Sequence, residues 1–219
     1  LILCGRRKER LEELKASLSV NSTILTFDVG DQPSVIKAFE SLPAEWKNID
    51  VLVNNAGNAH GMSAIQDGDV ADWNAMMSSN VTGLLYVSKE VMKGMVERRS
   101  GHIINLSSIA GKQTYPNGNV YCASKAAVEA LSAGMRQDLN PYGIKVGSVN
   151  PGLVETEFSQ VRFKGDKIAD TVYKGFKALQ AEDIADIIYF VISRPYHVNI
   201  ADLLVFPTAQ ANSTTVKKN

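Results

Sequence analysis

Short, almost unbroken apolar runs alternate with longer helical segments along this chain, and this alternation is what most constrains its fold. Each apolar run has the length of a buried strand, and the segments between them repeat hydrophobic residues every three or four positions. Strands that are apolar on both faces and separated by helices predict a parallel sheet covered by helices on both sides. The strand-like runs lie at 1–5, 23–29, 49–57, 101–108, 144–152 and 201–207.

Right-handed connections between such strands give an α/β fold, a Rossmann-type doubly wound parallel sheet with helices on both faces. We expect one domain over residues 1–219 that ends in a polar tail at 209–219. Such folds usually begin with a strand, a glycine-rich turn and a helix, whereas this chain starts at what resembles the second strand and has no G-x-G-x-x-G cluster. We therefore expect a first βα unit of roughly 25 residues ahead of Leu1 in the complete protein.

Composition excludes several classes of function. The formal net charge is +0, so the chain has no broad basic field for nucleic acid or a membrane surface. No apolar run approaches the roughly 20 residues needed to span a bilayer. Cys4 and Cys122 are too few for a disulfide framework, and His60, His102 and His197 lack the spacing of metal ligands. A cytoplasmic enzyme or binding protein for a small molecule, without a metal, is the expectation.

Polar or small residues follow five of the apolar runs, at the points where the strands end. In a doubly wound sheet the carboxyl ends of the strands form the binding crevice. Turn chemistry explains the glycines there, but not why arginine, aspartate, asparagine and serine gather at one edge. The residues are Gly5-Arg6-Arg7, Asp28-Val29, Asn54 to Gly57, Ser107-Ser108 and Asn150 to Gly152.

A phenol and an ammonium group lie one helical turn apart in the segment NVYCASKAAVEAL, because Tyr121 and Lys125 are four residues apart. A surface tyrosine beside a surface lysine gives the same pattern, so the pair alone does not decide its role. The chain also contains NNAG, INLSS, YCASK and PGLVET, in that order, at 54–57, 104–108, 121–125 and 151–156. With these four motifs, essentially the whole chain resembles the short-chain dehydrogenase/reductases that carry a Tyr-x-x-x-Lys motif.

That resemblance implies a catalytic set. Tyr121 is expected to be the general acid/base, and cationic Lys125 is expected to lower its pKa by favouring the phenolate. Ser108 would bind the substrate oxygen; Ser107 is the alternative, but the thirteen-residue spacing to Tyr121 matches Ser108. Asn80 matches the family asparagine that holds a water relaying protons to the lysine. A helix cap or a solvated side chain is the alternative for Asn80.

The resemblance also implies a dinucleotide site. Asp28 and the Val29 backbone would meet the adenine. Arg6 and Arg7 stand where NAD-selective sites carry a carboxylate, and guanidinium groups bind a 2′-phosphate well, so we predict NADP(H) as the cofactor. Two solvated arginines at a helix start are the alternative. The other implied cofactor contacts are Asn55, Ala56, Gly57, Tyr121, Lys125, Pro151, Gly152, Val154 and Thr156.

Residues 159–180 match the substrate lid of the family. The chain looks especially like the branch of NADP-dependent 3-hydroxy acid dehydrogenases, which implies serine, allo-threonine or 3-hydroxypropionate and malonic semialdehyde as substrates. A carboxylate suits a guanidinium group, so Arg162 is the candidate ligand. A surface arginine on a mobile loop is the alternative.

Two other functions are compatible with the sequence. One is an NADPH-dependent reductase of carrier-bound 3-oxoacyl chains or neutral carbonyl compounds. A non-catalytic NADP-binding sensor or scaffold is another, although such proteins usually lose the tyrosine or the lysine. Family analogy alone implies a homotetramer.

Overall fold

The computed structural model describes residues 1–219 and contains six parallel strands connected by helices. The predicted α/β class with a parallel sheet and helices on both faces is confirmed. The strands are β1 (Ile2–Gly5), β2 (Thr23–Thr26), β3 (Val51–Asn54), β4 (Gly101–Leu106), β5 (Ile144–Pro151) and β6 (Asp202–Val205). The helices are α1 (Lys8–Ser17), α2 (Gln32–Glu40), α3 (Val70–Met77), α4 (Gly83–Arg98), α5 (Asn119–Leu139), α6 (Phe158–Arg162) and α7 (Ala181–Ile192).

The strands form two hydrogen-bonded sheets, with the orders β1-β2 and β3-β4-β5-β6. The parallel register of the larger sheet pairs Asn54 with Asn105, and Asn105 with Ser148. The carboxyl ends of β3, β4 and β5 therefore lie side by side. β1 does not pair with β3, and the expectation of a strand between them stays a prediction.

The main core lies between the larger sheet and helices α4 and α5. Met95 of α4, Ile103 of β4, Val128 of α5 and Val146 of β5 are almost completely buried within it. Each such side chain stabilises the fold by about 1.5–3 kcal/mol relative to an exposed one. Met135, on the same stripe of α5 as Val128, belongs to this core too, so that stripe is interior surface.

A π-helical turn at Ser78–Thr82 joins α3 directly to α4. The start of α4 passes close to the end of β2. A Cβ atom at Gly83 would lie 2.8 Å from Val29 Cγ2, so only glycine fits this approach. The turn carries Asn80 inward, to 1% exposure. None of the helices is both long and apolar enough to cross a membrane.

Candidate active site

Tyr121 and Lys125 both face the protein interior from the first turns of α5. Their exposed fractions are 8% and 6%, so they are not a solvated surface pair. The ring of Phe158, the residue just before the lid, has its centre 5.6 Å from that of the Tyr121 ring and covers it. Lys125 Nζ donates a hydrogen bond of 2.9 Å to the carbonyl of Leu106, the last residue of β4. Helix α5 therefore holds the phenol and the ammonium at the carboxyl edge of the sheet.

Burial has opposite effects on the two groups, because it disfavours the charged form of each. It lowers the pKa of Lys125 to about 8, against the charge of Glu129, which raises it. Burial raises the pKa of Tyr121 above its usual value, while the nearby Ser108 hydroxyl and the charge of Arg162 act in the other direction. Burial outweighs the nearby positive charge in this structure, so the expected lowering of the Tyr121 pKa by Lys125 stays a prediction.

Ser108 and Ser107 have different surroundings, and these separate the two candidates. Ser108 caps a short turn after β4, where its hydroxyl accepts a hydrogen bond from Ala110 N at 3.1 Å and interacts with Tyr121. Ser107 is buried and donates to the backbone carbonyl of Lys125 at 3.1 Å. The geometry supports Ser108 as the group that faces a substrate and Ser107 as a brace between β4 and α5.

The side chain of Asn80 makes four hydrogen bonds within the protein. Its oxygen accepts from Asn58 N at 2.8 Å and Ser79 Oγ at 3.0 Å. Its nitrogen donates to Asn58 O at 2.8 Å and Ser124 Oγ at 3.0 Å. The amide has no further donor, so a proton relay at this position has to use the backbone carbonyl of Asn80. The alternative of a solvated side chain is wrong, because Asn80 is buried.

The loop after β3 fits a dinucleotide that must come close to the backbone. A Cβ atom at Gly57 would lie 3.1 Å from Asn80 Oδ1 and 3.4 Å from Lys125 Nζ, so glycine keeps this space open. Asn58 Oδ1, next in the chain, is a buried acceptor without a partner. Asn55 and Ala56 are exposed on the same loop. An open backbone next to a cation and a free acceptor suits the hydroxyl groups of a ribose.

The arginines after β1 form an anion site. Arg7 and Arg10 both donate to the carboxylate of Glu157, at 3.1 Å and 2.8 Å. Arg6 lies 3.5 Å from Asp28 at the end of β2. The pair that holds the Glu157 carboxylate has the donor geometry for a phosphate monoester, which fits the predicted NADP(H). Sequence reasoning missed Arg10, although its position three residues after Arg7, in the first turn of α1, is a usable signal.

The segment after β5 is fixed by a residue of the C-terminal tail. Gln210 is buried, and its side-chain oxygen accepts a hydrogen bond from Leu153 N at 2.8 Å. A Cβ atom at Gly152 would lie 2.2 Å from that same oxygen, so the contact requires glycine. Val154 pairs with Leu179 at the base of the lid. Pro151 and Thr156 lie on this same segment, which faces the site from the end of β5. The tail, predicted only as polar, therefore braces the predicted nicotinamide segment.

Arg162 lies at the end of α6, inside the lid, and is only 8% exposed. Its guanidinium group stands 5.4 Å from the centre of the Tyr121 ring. The side chain donates only to uncharged acceptors, at Tyr115 Oη and Gly61 O, and Nη2 has no partner. The alternative of a mobile surface arginine is therefore wrong. Burial of a cation without a counter-ion lowers the stability of the fold, because the charge loses its solvation. This arrangement therefore suits an anionic ligand next to Tyr121.

Known proteins resemble this chain over nearly its whole length. A family model described as short chain dehydrogenase matches residues 1–167. An NADP-dependent 3-hydroxy acid dehydrogenase of Escherichia coli K12 is 46% identical over 213 residues, which is 96% of this chain and 86% of that protein. Sulfoacetaldehyde reductase 2 of Chromohalobacter salexigens is 43% identical over 215 residues, covering 96% and 85% of the two chains.

A solved structure described as the closed form of serine dehydrogenase complexed with NADP+ superposes with a TM-score of 0.94. It is 44% identical in sequence, and the match covers 100% of this chain and 89% of that one. The resemblance inferred from the four motifs is therefore confirmed at the level of the family and the fold.

Proposed function

The chain belongs to the short-chain dehydrogenase family, and from this we propose that it is an NADP-dependent oxidoreductase that interconverts small 3-hydroxy acids and 3-oxo acids. The candidate substrates are serine, allo-threonine, and 3-hydroxypropionate with malonic semialdehyde. The observation that carries the substrate class is the buried Arg162 guanidinium, which has an unpartnered nitrogen and no counter-ion beside Tyr121.

The nicotinamide of NADP(H), when bound, supplies or accepts the hydride. Tyr121 takes the proton of the substrate hydroxyl during oxidation and returns it during reduction. Ser108 donates a hydrogen bond to the same substrate oxygen and stabilises the charge that develops there. Lys125 lies beside the open backbone at Gly57, where it can bind a cofactor hydroxyl. Asn80 fixes Asn58, and with it the loop that carries Gly57.

The proposed cofactor site extends from the adenosine end to the nicotinamide end of the sheet edge. Arg6 and Arg7, joined by Arg10, would hold the 2′-phosphate, and Asp28 with the Val29 backbone would meet the adenine. Asn55, Ala56 and Gly57 would lie along the ribose. Pro151, Gly152, Val154 and Thr156 would hold the nicotinamide carboxamide.

A 2-sulfo aldehyde is a second candidate substrate. Malonic semialdehyde and sulfoacetaldehyde both have one methylene between an anionic group and an aldehyde. Arg162 would therefore contact the anion, and Tyr121 the aldehyde oxygen, at a similar spacing in both compounds. The 43% identity to a sulfoacetaldehyde reductase supports testing this compound. A carrier-bound or neutral substrate would leave the Arg162 charge unpaired. A non-catalytic sensor is disfavoured, because Ser108, Tyr121 and Lys125 are all present and gathered at one edge.

We also propose a homotetramer in the cytoplasm. The exposed aromatic residues Tyr189 and Phe190 on α7 support an assembly surface, and the free thiols Cys4 and Cys122 agree with a reducing compartment. Light scattering coupled to size-exclusion chromatography measures the assembly. A monomer at micromolar concentration would contradict the tetramer.

The function is tested by following NADPH oxidation with malonic semialdehyde, its methyl ester and sulfoacetaldehyde. We expect both anions to be reduced with kcat/KM well above that of the neutral ester. We also expect Tyr121→Phe to lower kcat by about 10²–10⁴-fold. Equal rates for the acid and the ester would contradict the hydroxy acid assignment, and an active Tyr121→Phe variant would contradict the mechanism.

A further inference from the structure

Each nitrogen of the Arg162 side chain has a different environment. Nε donates to the carbonyl of Gly61 at 3.3 Å, and Nη1 donates to the hydroxyl of Tyr115 at 2.8 Å. Gly61 N in turn donates to the Arg162 carbonyl at 2.8 Å, so the lid and the loop after β3 are joined twice. Nη2 is buried and has no partner. Two of the three nitrogens are therefore fixed by the protein, and the third has no protein partner. Arg162 and Tyr121 line the same pocket, together with Asp69 and Asp72.

Tyr115 is held in place independently of Arg162. A Cβ atom at Gly118 would lie 2.1 Å from Tyr115 Cε2, so the ring lies directly against the backbone that starts α5. The ring also packs against the buried cluster that includes Tyr121 and Cys122. Its centre is 5.5 Å from the Arg162 guanidinium carbon. The Tyr115 hydroxyl is thus held in a fixed position, and it accepts a hydrogen bond from the far end of the long Arg162 side chain.

The charge state of the Tyr115 hydroxyl matters as much as its position. Burial raises the pKa of Tyr115, and the Arg162 charge opposes this only in part, so the hydroxyl is neutral at physiological pH. A carboxylate at this place would also orient the guanidinium group but would cancel its charge. A phenol orients Arg162 and leaves the positive charge for the substrate.

We propose that Tyr115 is a positioning residue that sets the preference of this site for acid substrates, because it holds Arg162 through a neutral acceptor and turns Nη2 toward the substrate anion. This proposal rests on the proposed function of the site. It assigns a role to a residue that does not itself have to touch the substrate.

The test is a double-mutant cycle with Tyr115→Phe and Arg162→Gln, measured on 3-hydroxypropionate and on its neutral methyl ester. Tyr115→Phe keeps the ring and removes the acceptor. We expect it to raise the KM for 3-hydroxypropionate about tenfold, with a smaller change in kcat, because a hydrogen bond to a charged group is lost. In the Arg162→Gln background the same change should have less than about a twofold effect, since its target is absent.

A binding measurement separates orientation from chemistry. Enzyme loaded with NADPH cannot react with 3-hydroxypropionate, since both are in the reduced form, so calorimetry gives the dissociation constant directly. We expect Tyr115→Phe to weaken this binding about tenfold as well. Tyr142→Phe is the matched control, because Tyr142 also lies under an arginine, with Arg99 at 5.8 Å, at the opposite end of α5.

The outcomes distinguish this inference from the proposed function. A wild-type enzyme that does not prefer the acid over the ester contradicts the proposed function, whatever Tyr115 does. The role of Tyr115 is overturned if the wild-type enzyme prefers the acid and the Tyr115→Phe variant keeps this preference. It is also overturned if the variant loses activity on the acid and on the ester equally. An undiminished effect of Tyr115→Phe in the Arg162→Gln background overturns it too. Arg162→Met, which has neither charge nor donor, replaces Arg162→Gln if the latter does not fold.

Discussion

Glu129 lies one helical turn after Lys125 on α5, and its negative charge raises the pKa of an ammonium group that burial lowers to about 8. One carboxylate oxygen of Glu129 accepts from Lys112 at 2.7 Å, and the other is buried without a partner. The carboxylate therefore lies in a poorly solvated environment, where charges act strongly on each other. A residue outside the four motifs therefore raises the proton affinity of Lys125, against the effect of burial.

Replacing Glu129 tests this coupling. Glu129→Gln removes the negative charge that raises the Lys125 pKa, so this pKa falls further and the ammonium form persists only to a lower pH. We expect the limb of the kcat/KM profile near pH 8 to move to lower pH in NADP-dependent oxidation of 3-hydroxypropionate. Glu182→Gln, on the exposed first turn of α7, is the charge-matched control and should leave the limb in place. If the pH dependence of kcat/KM near pH 8 is the same in Glu129→Gln as in the unmodified enzyme, the titration of Lys125 does not cause it.

The two adjacent serines should respond differently to removal of their hydroxyl groups. Ser108→Ala removes a donor to the substrate oxygen, and we expect kcat to fall by about 10²–10³-fold with little change in melting temperature. Ser107→Ala removes a buried hydrogen bond to the Lys125 backbone, which should cost about 0.5–1.5 kcal/mol of unfolding free energy and much less activity. Steady-state kinetics give kcat of both variants, and urea denaturation gives their unfolding free energies. The reverse pattern would assign the substrate oxygen to Ser107.

Cofactor choice should depend on the arginines after β1. We expect the double variant Arg6→Ala/Arg7→Ala to raise the KM for NADPH by about 10–100-fold and to change that for NADH far less, because only NADPH carries the 2′-phosphate. Arg10→Ala should act in the same direction, since Arg10 shares an anion with Arg7. Lys15→Ala, in the last turn of the same helix, is the control. Equal losses for both cofactors would contradict a phosphate-binding role.

The sequence predicts the parts of this structure that depend on local patterns. Buried parallel strands have near-continuous apolar sequences, so the edge of the sheet can be predicted from the sequence. A close approach of the backbone requires glycine, so the role of Gly57 can be predicted as well. The π-helical turn at Asn80 has no such local signal in the sequence. The raised pKa of Tyr121 depends on burial by Phe158 and other distant segments, which no spacing reveals.

The contacts that sequence reasoning missed are long-range ones. Tyr115 and Arg162 are 47 residues apart, and Leu153 and Gln210 are 57 residues apart. Each of these four residues, taken alone, is of a type that is common in loops. Only the folded chain shows that Tyr115 fixes the lid arginine and that Gln210 fixes the segment after β5.

His102 provides a test of acid stability that is separate from catalysis. It lies in β4, is 4% exposed, and neither ring nitrogen has a hydrogen-bond partner. Burial, helped by the charge of Lys145, lowers the pKa of His102 to about 4. The unfolded chain takes up this proton near pH 6.5 and the folded chain does not, so stability should fall as the pH drops from about 6.5 toward 4.

One such group can contribute a slope of at most about 1.4 kcal/mol per pH unit. We expect the unfolding free energy, from urea denaturation at several pH values between 7 and 4, to fall less steeply in His102→Leu than in the unmodified protein. His197→Gln, on the loop before β6, should keep the original slope because that loop is at the surface. If His102→Leu and the unmodified protein lose stability in parallel over this range, acid sensitivity comes from other groups, and His102 takes up its proton without opening the fold.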